Sequence, residues 1–95
     1  MLNELILKAM RSLDNPKLFT TTTKEWRQSA YSSTTVYPYA TYAASQAADA
    51  VYYADTANYA DAADSIDTAN YWLDRHFYKT GEDKQDYINE VERLR

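Results

Sequence analysis

The chain has no cysteine, one glycine and two prolines among its 95 residues. Without cysteine it forms no disulfide and offers no thiolate, and the redox compartment is left open. With one glycine it has no Gly-rich loop to cradle a phosphate, and no Gly-x-x-x-x-Gly-Lys or His-Glu-x-x-His pattern occurs. No run of about 18 apolar residues exists, so no segment of the sequence is expected to span a membrane. Histidine occurs once, as His76. A lone histidine on a helix is more often packed or solvated than catalytic, and stacking on Trp72 four residues earlier is open to it. Asp61, Asp64 and Asp67 are spaced three apart, but on a helix they fan out over about 120°, and no calcium-loop glycine follows. Acid–base chemistry by an Asp pair would need a pocket that a thin helical rod seldom makes. No enzymatic activity, no cofactor and no metal are expected.

What the chain does have is Ala, Tyr and Asp. Apolar residues reach 45%, but much of that is Ala and Tyr rather than large aliphatics. So small an aliphatic core favours helices packed closely through alanine, or an oligomer. The length fits one domain, residues 1–95. The net charge of −4 is localised: Pro38 to Lys79 carries six Asp against Arg75 and Lys79, and the remaining acids and bases balance. An acidic balance argues against direct nucleic-acid binding, which needs bases to neutralise phosphates. Glu4 stands where a secretory signal would carry positive charge, so an intracellular protein is expected.

Periodicity predicts an all-α fold. Leu2, Leu5, Ile6, Ala9, Met10 and Leu13 share one helix face, giving a helix over 2–13 that ends at Asp14-Asn15-Pro16. Thr22-x-x-Glu25 has the form of a capping box, so a short helix is predicted from about Thr23, with Trp26, Ala30 and Tyr31 inward. Pro38 suits a first helical turn, and one long helix is predicted over about 38–79, a rod of roughly 60 Å. A kinked helix continuous through Pro38 is the alternative. Gly81 is placed for a left-handed C-terminal cap. Asp83 is placed to cap a last helix with Tyr87, Ile88, Val91 and Leu94 on its apolar edge, docking back antiparallel on the end of the long one.

Projected at 100° per residue, the long stretch has two faces. Ala44, Ala48, Val51, Tyr59, Ala62, Ile66, Ala69, Leu73 and Phe77 gather on a core face. The opposite face carries Tyr42, Asp49, Tyr53, Asp64, Asp67, Tyr71, Asp74 and Tyr78, the candidate partner-binding residues. Tyrosine supplies large, stiff contact area with a polar tip and is enriched at interfaces. The stripe is either a solvated face, a protein-binding face or, with sparser support, a mimic of nucleic-acid phosphates. Asp55 falls among Val51, Tyr59 and Ala62 on the apolar side, so it either pairs with Lys24 or Arg27 or marks a gap where the core face ends. Asp55-Thr56-Ala57-Asn58-Tyr59 recurs as Asp67-Thr68-Ala69-Asn70-Tyr71. The copies lie about 120° apart on a helix, so they share no face.

The opening MLNELILKAM, the NPKLFT that follows, the Ala/Tyr/Asp-rich middle and the ending YKTGEDKQDYINEVERLR resemble small alanine-rich proteins of tailed bacteriophages. Pro38 and the stretch TTTTKEWRQSAYSSTT depart from that pattern, where continuous Ala-rich helix would be expected. The family carries no assigned activity, so the resemblance transfers no site residues. It implies a phage origin and a non-enzymatic accessory role in the host cytoplasm, binding a host protein, with counter-defence inhibition as one form. The alternatives are a structural protein assembling as a homo-oligomer through the alanine face, and a nucleic-acid mimic blocking a DNA-handling enzyme.

Overall fold

The computed structural model describes residues 2–16 and 38–95. The helix predicted from Thr23, and any continuation through Pro38, lie outside the described residues. Every regular element described is helical: α1 (Glu4–Asp14), α2 (Pro38–Asp55), α3 (Tyr59–Thr80) and α4 (Lys84–Arg93).

Helix α1 begins two residues later than periodicity predicts because Asn3 caps it. The Asn3 side-chain oxygen accepts from the Leu5 and Ile6 backbone N–H groups at 2.9 and 3.2 Å, satisfying two donors that a helix start leaves free. Ile6, Ala9 and Ser12 are buried, and Leu2, Leu5, Leu7, Met10 and Leu13 pack partly buried around the core. Ser12 is accommodated by donating to the Ala9 carbonyl at 2.8 Å.

The single long helix over 38–79 is not what forms. The chain breaks after Asp55, and the two halves fold back on each other as an antiparallel hairpin, with Tyr39 and Tyr42 of α2 meeting Trp72 of α3. The molecule measures 35 Å along its longest axis, far short of a 60 Å rod. The break has a defined geometry. Asn58 N–H reaches back to the Tyr53 carbonyl at 2.8 Å, and Ala57 N–H to that of Ala54 at 3.2 Å. This is the hydrogen-bond pattern of a Schellman C-terminus, whose left-handed residue is normally glycine. Here it is Ala57, at φ 63°. Thr56 Oγ1 donates to the Tyr52 carbonyl at 3.1 Å and accepts from Asn58 Nδ2 at 3.1 Å. An alanine held left-handed costs about 1–2 kcal/mol. Replacing Ala57 with Gly is therefore expected to raise stability by roughly 0.5–1 kcal/mol, after allowing for the extra chain entropy of glycine. Urea unfolding of the two proteins checks this, and an unchanged or lower midpoint contradicts it.

The break also explains where the predicted core face departs from the observed one. Ala44, Ala48, Val51, Ala62, Ala69 and Leu73 are buried as expected. Tyr59 is 70% exposed and Ile66 40% exposed, because α3 takes its own register once it is no longer continuous with α2. Ala40, Ala43, Ala47 and Ala50 are buried in addition, since α2 packs against both α3 and α1 and has no single inward face. Asp55 is exposed as the last residue of α2, so the core face ends there.

Gly81 caps α3 at φ 72°, donating its N–H to the Phe77 carbonyl at 3.0 Å, and the Asp83 side chain caps α4 by accepting from Gln85 N–H at 2.9 Å. Both were legible in the sequence. The docking of α4 was not. It packs chiefly on α1 rather than on the end of α3, and runs parallel to α1. Asn3 meets Tyr87 at their starts, and Asp14 holds Arg95 at their ends, with Arg95 Nε donating to Asp14 Oδ2 at 3.0 Å.

Candidate functional site

The folded-back hairpin redistributes the predicted Tyr/Asp stripe. Ala62, Ser65, Ala69, Leu73 and His76 are the buried side of α3. Asp64, Asp67, Tyr71, Asp74 and Tyr78 follow the same alternation of three and four residues, offset by roughly half a turn, and all five are exposed. They form one outward face on one helix. Tyr78 is the more open of its two tyrosines, at 87% exposure. Asp74 takes Lys84 Nζ at 3.4 Å from the start of α4.

The α2 members behave differently. Asp49 is 6% exposed, buried on the central helix, and is not part of any surface the chain presents. Sequence projection misplaced it because α2 is covered on more than one side. Tyr53 is half-buried near the turn, its ring edge-on to Tyr52 with centroids 5.6 Å apart. Tyr42 remains exposed and joins Tyr71, but across the hairpin rather than along a rod. Trp72 stands between them, with ring centroids 4.9 Å from Tyr42, 4.9 Å from Tyr71 and 5.4 Å from Tyr39, which stacks on it. The Arg75 guanidinium lies over the Tyr39 ring at 5.7 Å, a cation–π arrangement. A recess of about 270 Å³ beside Trp72 is lined by Thr41, Tyr42, Ser45, Gln46 and Trp72. Trp72 is thus the centre of the aromatic cluster. Linear spacing did not point to it, since Tyr39 and Tyr42 lie 33 and 30 residues away and are brought to it by α2.

A second cluster sits at the corner between α3 and α4. His76 does not stack on Trp72. It is buried, edge-on to Phe77 at 5.5 Å, with Nε2 2.5 Å from Glu82 Oε1. The other Glu82 oxygen accepts from the Tyr87 hydroxyl at 2.9 Å, and that hydroxyl accepts from the Asn3 backbone N–H at 2.8 Å. Thr80 Oγ1 donates to the His76 carbonyl at 2.9 Å and accepts from Glu82 N–H at 3.2 Å. Burial pushes the Glu82 carboxyl up, but the hydrogen bonds from His76, Tyr87 and Thr80 outweigh it and hold the group below its ordinary value. Burial pushes the Tyr87 phenol up to about 12; the Asn3 N–H opposes this and the neighbouring Glu82 carboxylate adds to it. By periodicity Tyr87 is an apolar edge residue. The Glu82–Tyr87 pair itself is local, five residues apart; the start of α1, from the far end of the chain, adds the Asn3 N–H to it.

No group of three or more His, Asp or Glu able to hold a metal forms among the described residues. No described helix is long and apolar enough to cross a membrane. Set against family models, curated proteins and solved structures, the chain finds no match in any of the three. The resemblance to alanine-rich phage proteins therefore rests on the quoted residues alone.

Proposed function

We propose that this chain is a non-enzymatic phage accessory protein that binds and modulates a host protein, in the manner of a counter-defence inhibitor, through the outward face of α3. One observation carries this reading: Asp64, Asp67, Tyr71, Asp74 and Tyr78 are exposed together, on the side of α3 opposite its buried residues. Exposed tyrosines on a rigid helix lose little conformational freedom on binding and bury large area. The carboxylates among them favour a partner with a basic surface and make its binding weaken with salt. The assembly reading ranks second, because the alanines it would use are already buried within the chain. The phosphate-mimic reading ranks third, because the α3 carboxylates are fewer than a duplex backbone would present.

The test is affinity capture from host lysate, with and without infection, comparing the native chain with the triple variant Asp67→Ala, Tyr71→Ala, Tyr78→Ala. A protein retained by the native chain is expected to bind the variant with a loss of about 2 kcal/mol or more, roughly thirtyfold in Kd. The far-UV spectrum should be unchanged, since all three side chains point outward. Equal retention by a fully helical triple variant rules out this face as the site.

A further inference from the structure

We propose that Glu82 is an acid-operated latch, whose protonation releases α4 from the α3 corner and from the start of α1 while the α2–α3 hairpin stays folded. One carboxylate links three helices. It takes the His76 ring nitrogen from α3 at 2.5 Å and the Tyr87 hydroxyl from α4 at 2.9 Å, and through that hydroxyl it holds the Asn3 N–H at the start of α1. Those groups, with the Thr80 hydroxyl at 3.4 Å, are what faces Glu82 from the elements around it. From α2 no hydrogen bond or ion pair reaches it among the described residues. Asp86 on α4 is a further charge, acting on Tyr87.

Two features make this carboxylate an entry point for a proton. His76 and Tyr87 are buried, whereas the Glu82 side chain keeps 32% of its surface in water. A proton reaches it without any helix opening. Once neutral, it loses the charge that strengthens both of its hydrogen bonds. The buried partners have no water to substitute for it.

Beyond this cluster α4 is held by ion pairs at its two ends, Lys84 to Asp74 and Arg95 to Asp14, whose basic partners are exposed and which therefore add little. The helix has ten residues, a length marginal for an isolated helix. It buries two side chains, Tyr87 and Val91, and it packs mainly on α1. The hairpin, by contrast, is closed by the alanine interface of two longer helices. Opening should therefore be local. Release uncovers Phe77, whose ring lies 5.4 Å from that of Tyr87. The sign follows from linkage. The folded carboxyl titrates below its ordinary 4.5, so its stabilisation is complete above that value and is lost as pH falls through the lowered one.

The test is amide hydrogen exchange on the full chain, corrected for intrinsic rates, from about pH 7 down to about pH 3.5. Protection in α4 is expected to fall about tenfold further than protection in α3 around Ala69 to Leu73. Glu82→Gln should show that α4-selective loss already at neutral pH, with no further selective loss on acidification. If that variant fails to fold, Tyr87→Phe, which keeps the ring and removes the hydroxyl, should show it instead. Asp86→Asn should leave the acid response intact. Loss of protection in α3 and α4 together, native α4 protection in both latch variants at neutral pH, or an acid response abolished by Asp86→Asn would overturn the proposal.

Discussion

Replacing Tyr87 with alanine is expected to cost roughly 3–5 kcal/mol, the range for deleting a buried aromatic ring. That is a large share of the stability of a domain this size, about 5–15 kcal/mol. Tyr87 is fully buried and is the largest such side chain among the described residues. Its ring packs on Phe77, and its hydroxyl closes the bond between Asn3 N–H and Glu82. Deletion leaves a cavity between α4 and the rest, a part-buried N–H without its acceptor, and Glu82 without one of its donors. Tyr87→Phe separates the two contributions. It keeps the packing and should cost about 1–3 kcal/mol, the penalty for orphaning buried polar groups. Chemical denaturation of the three proteins measures both steps, and a Phe variant as unstable as the Ala variant would show that the ring contributes nothing.

The same residue fixes an alkaline limit. The folded phenol titrates near 12 against an ordinary 10.0, so it is raised in the folded state. Its stabilisation is complete below pH 10 and is lost as pH rises towards 12. Stability measured across that window should fall, and the part owed to Tyr87 should be missing in Tyr87→Phe.

Enlarging an alanine at the helix crossing is the second large effect. Ala69→Leu is expected to destabilise by about 1–3 kcal/mol, because the added carbons must push apart a closely packed interface. Ala69 has no exposed surface and sits in the core with Ala47, Ala48, Val51 and Leu73. Ala60→Leu on the exposed side of the same helix should change stability by less than about 0.5 kcal/mol. Leucine and alanine differ little in helix propensity, so the difference between the two variants isolates packing. Equal midpoints in thermal unfolding would mean that Ala69 does not lie at a tight interface.

Much of the secondary structure was legible. The α1 stripe, the start at Pro38, the Gly81 cap and the Asp83 cap each depend on residues within a few positions, and each is where local chemistry put it. The α3 half of the Tyr/Asp face was legible too, because a single straight helix keeps its register. Asp49, Tyr59 and Ile66 were misplaced for one shared reason. Their exposure depends on which neighbours each helix has, and a projection of one rod has no neighbours. The Trp72 cluster and the Glu82–Tyr87 cluster were invisible because Tyr39 and Tyr42 reach Trp72 from α2, and His76 and Asn3 reach Glu82 and Tyr87 from α3 and the start of α1.

The repeated pentapeptide shows where sequence stops deciding. Asp67-Thr68-Ala69-Asn70-Tyr71 lies within α3, and its alanine is buried in the core. Asp55-Thr56-Ala57-Asn58-Tyr59 is the turn between α2 and α3, and its alanine stands at φ 63°. The same five residues take both conformations, so local propensity does not choose between them. By itself the sequence determined that this chain is helical, low in aliphatic core and acidic through its middle. Tertiary structure alone decided that the middle is a hairpin. Burying two alanine-rich faces against each other, and α2 against α1, outweighs the strain of one left-handed alanine. That is also why the Tyr/Asp stripe that seemed to run along one rod survives as a continuous face only on α3.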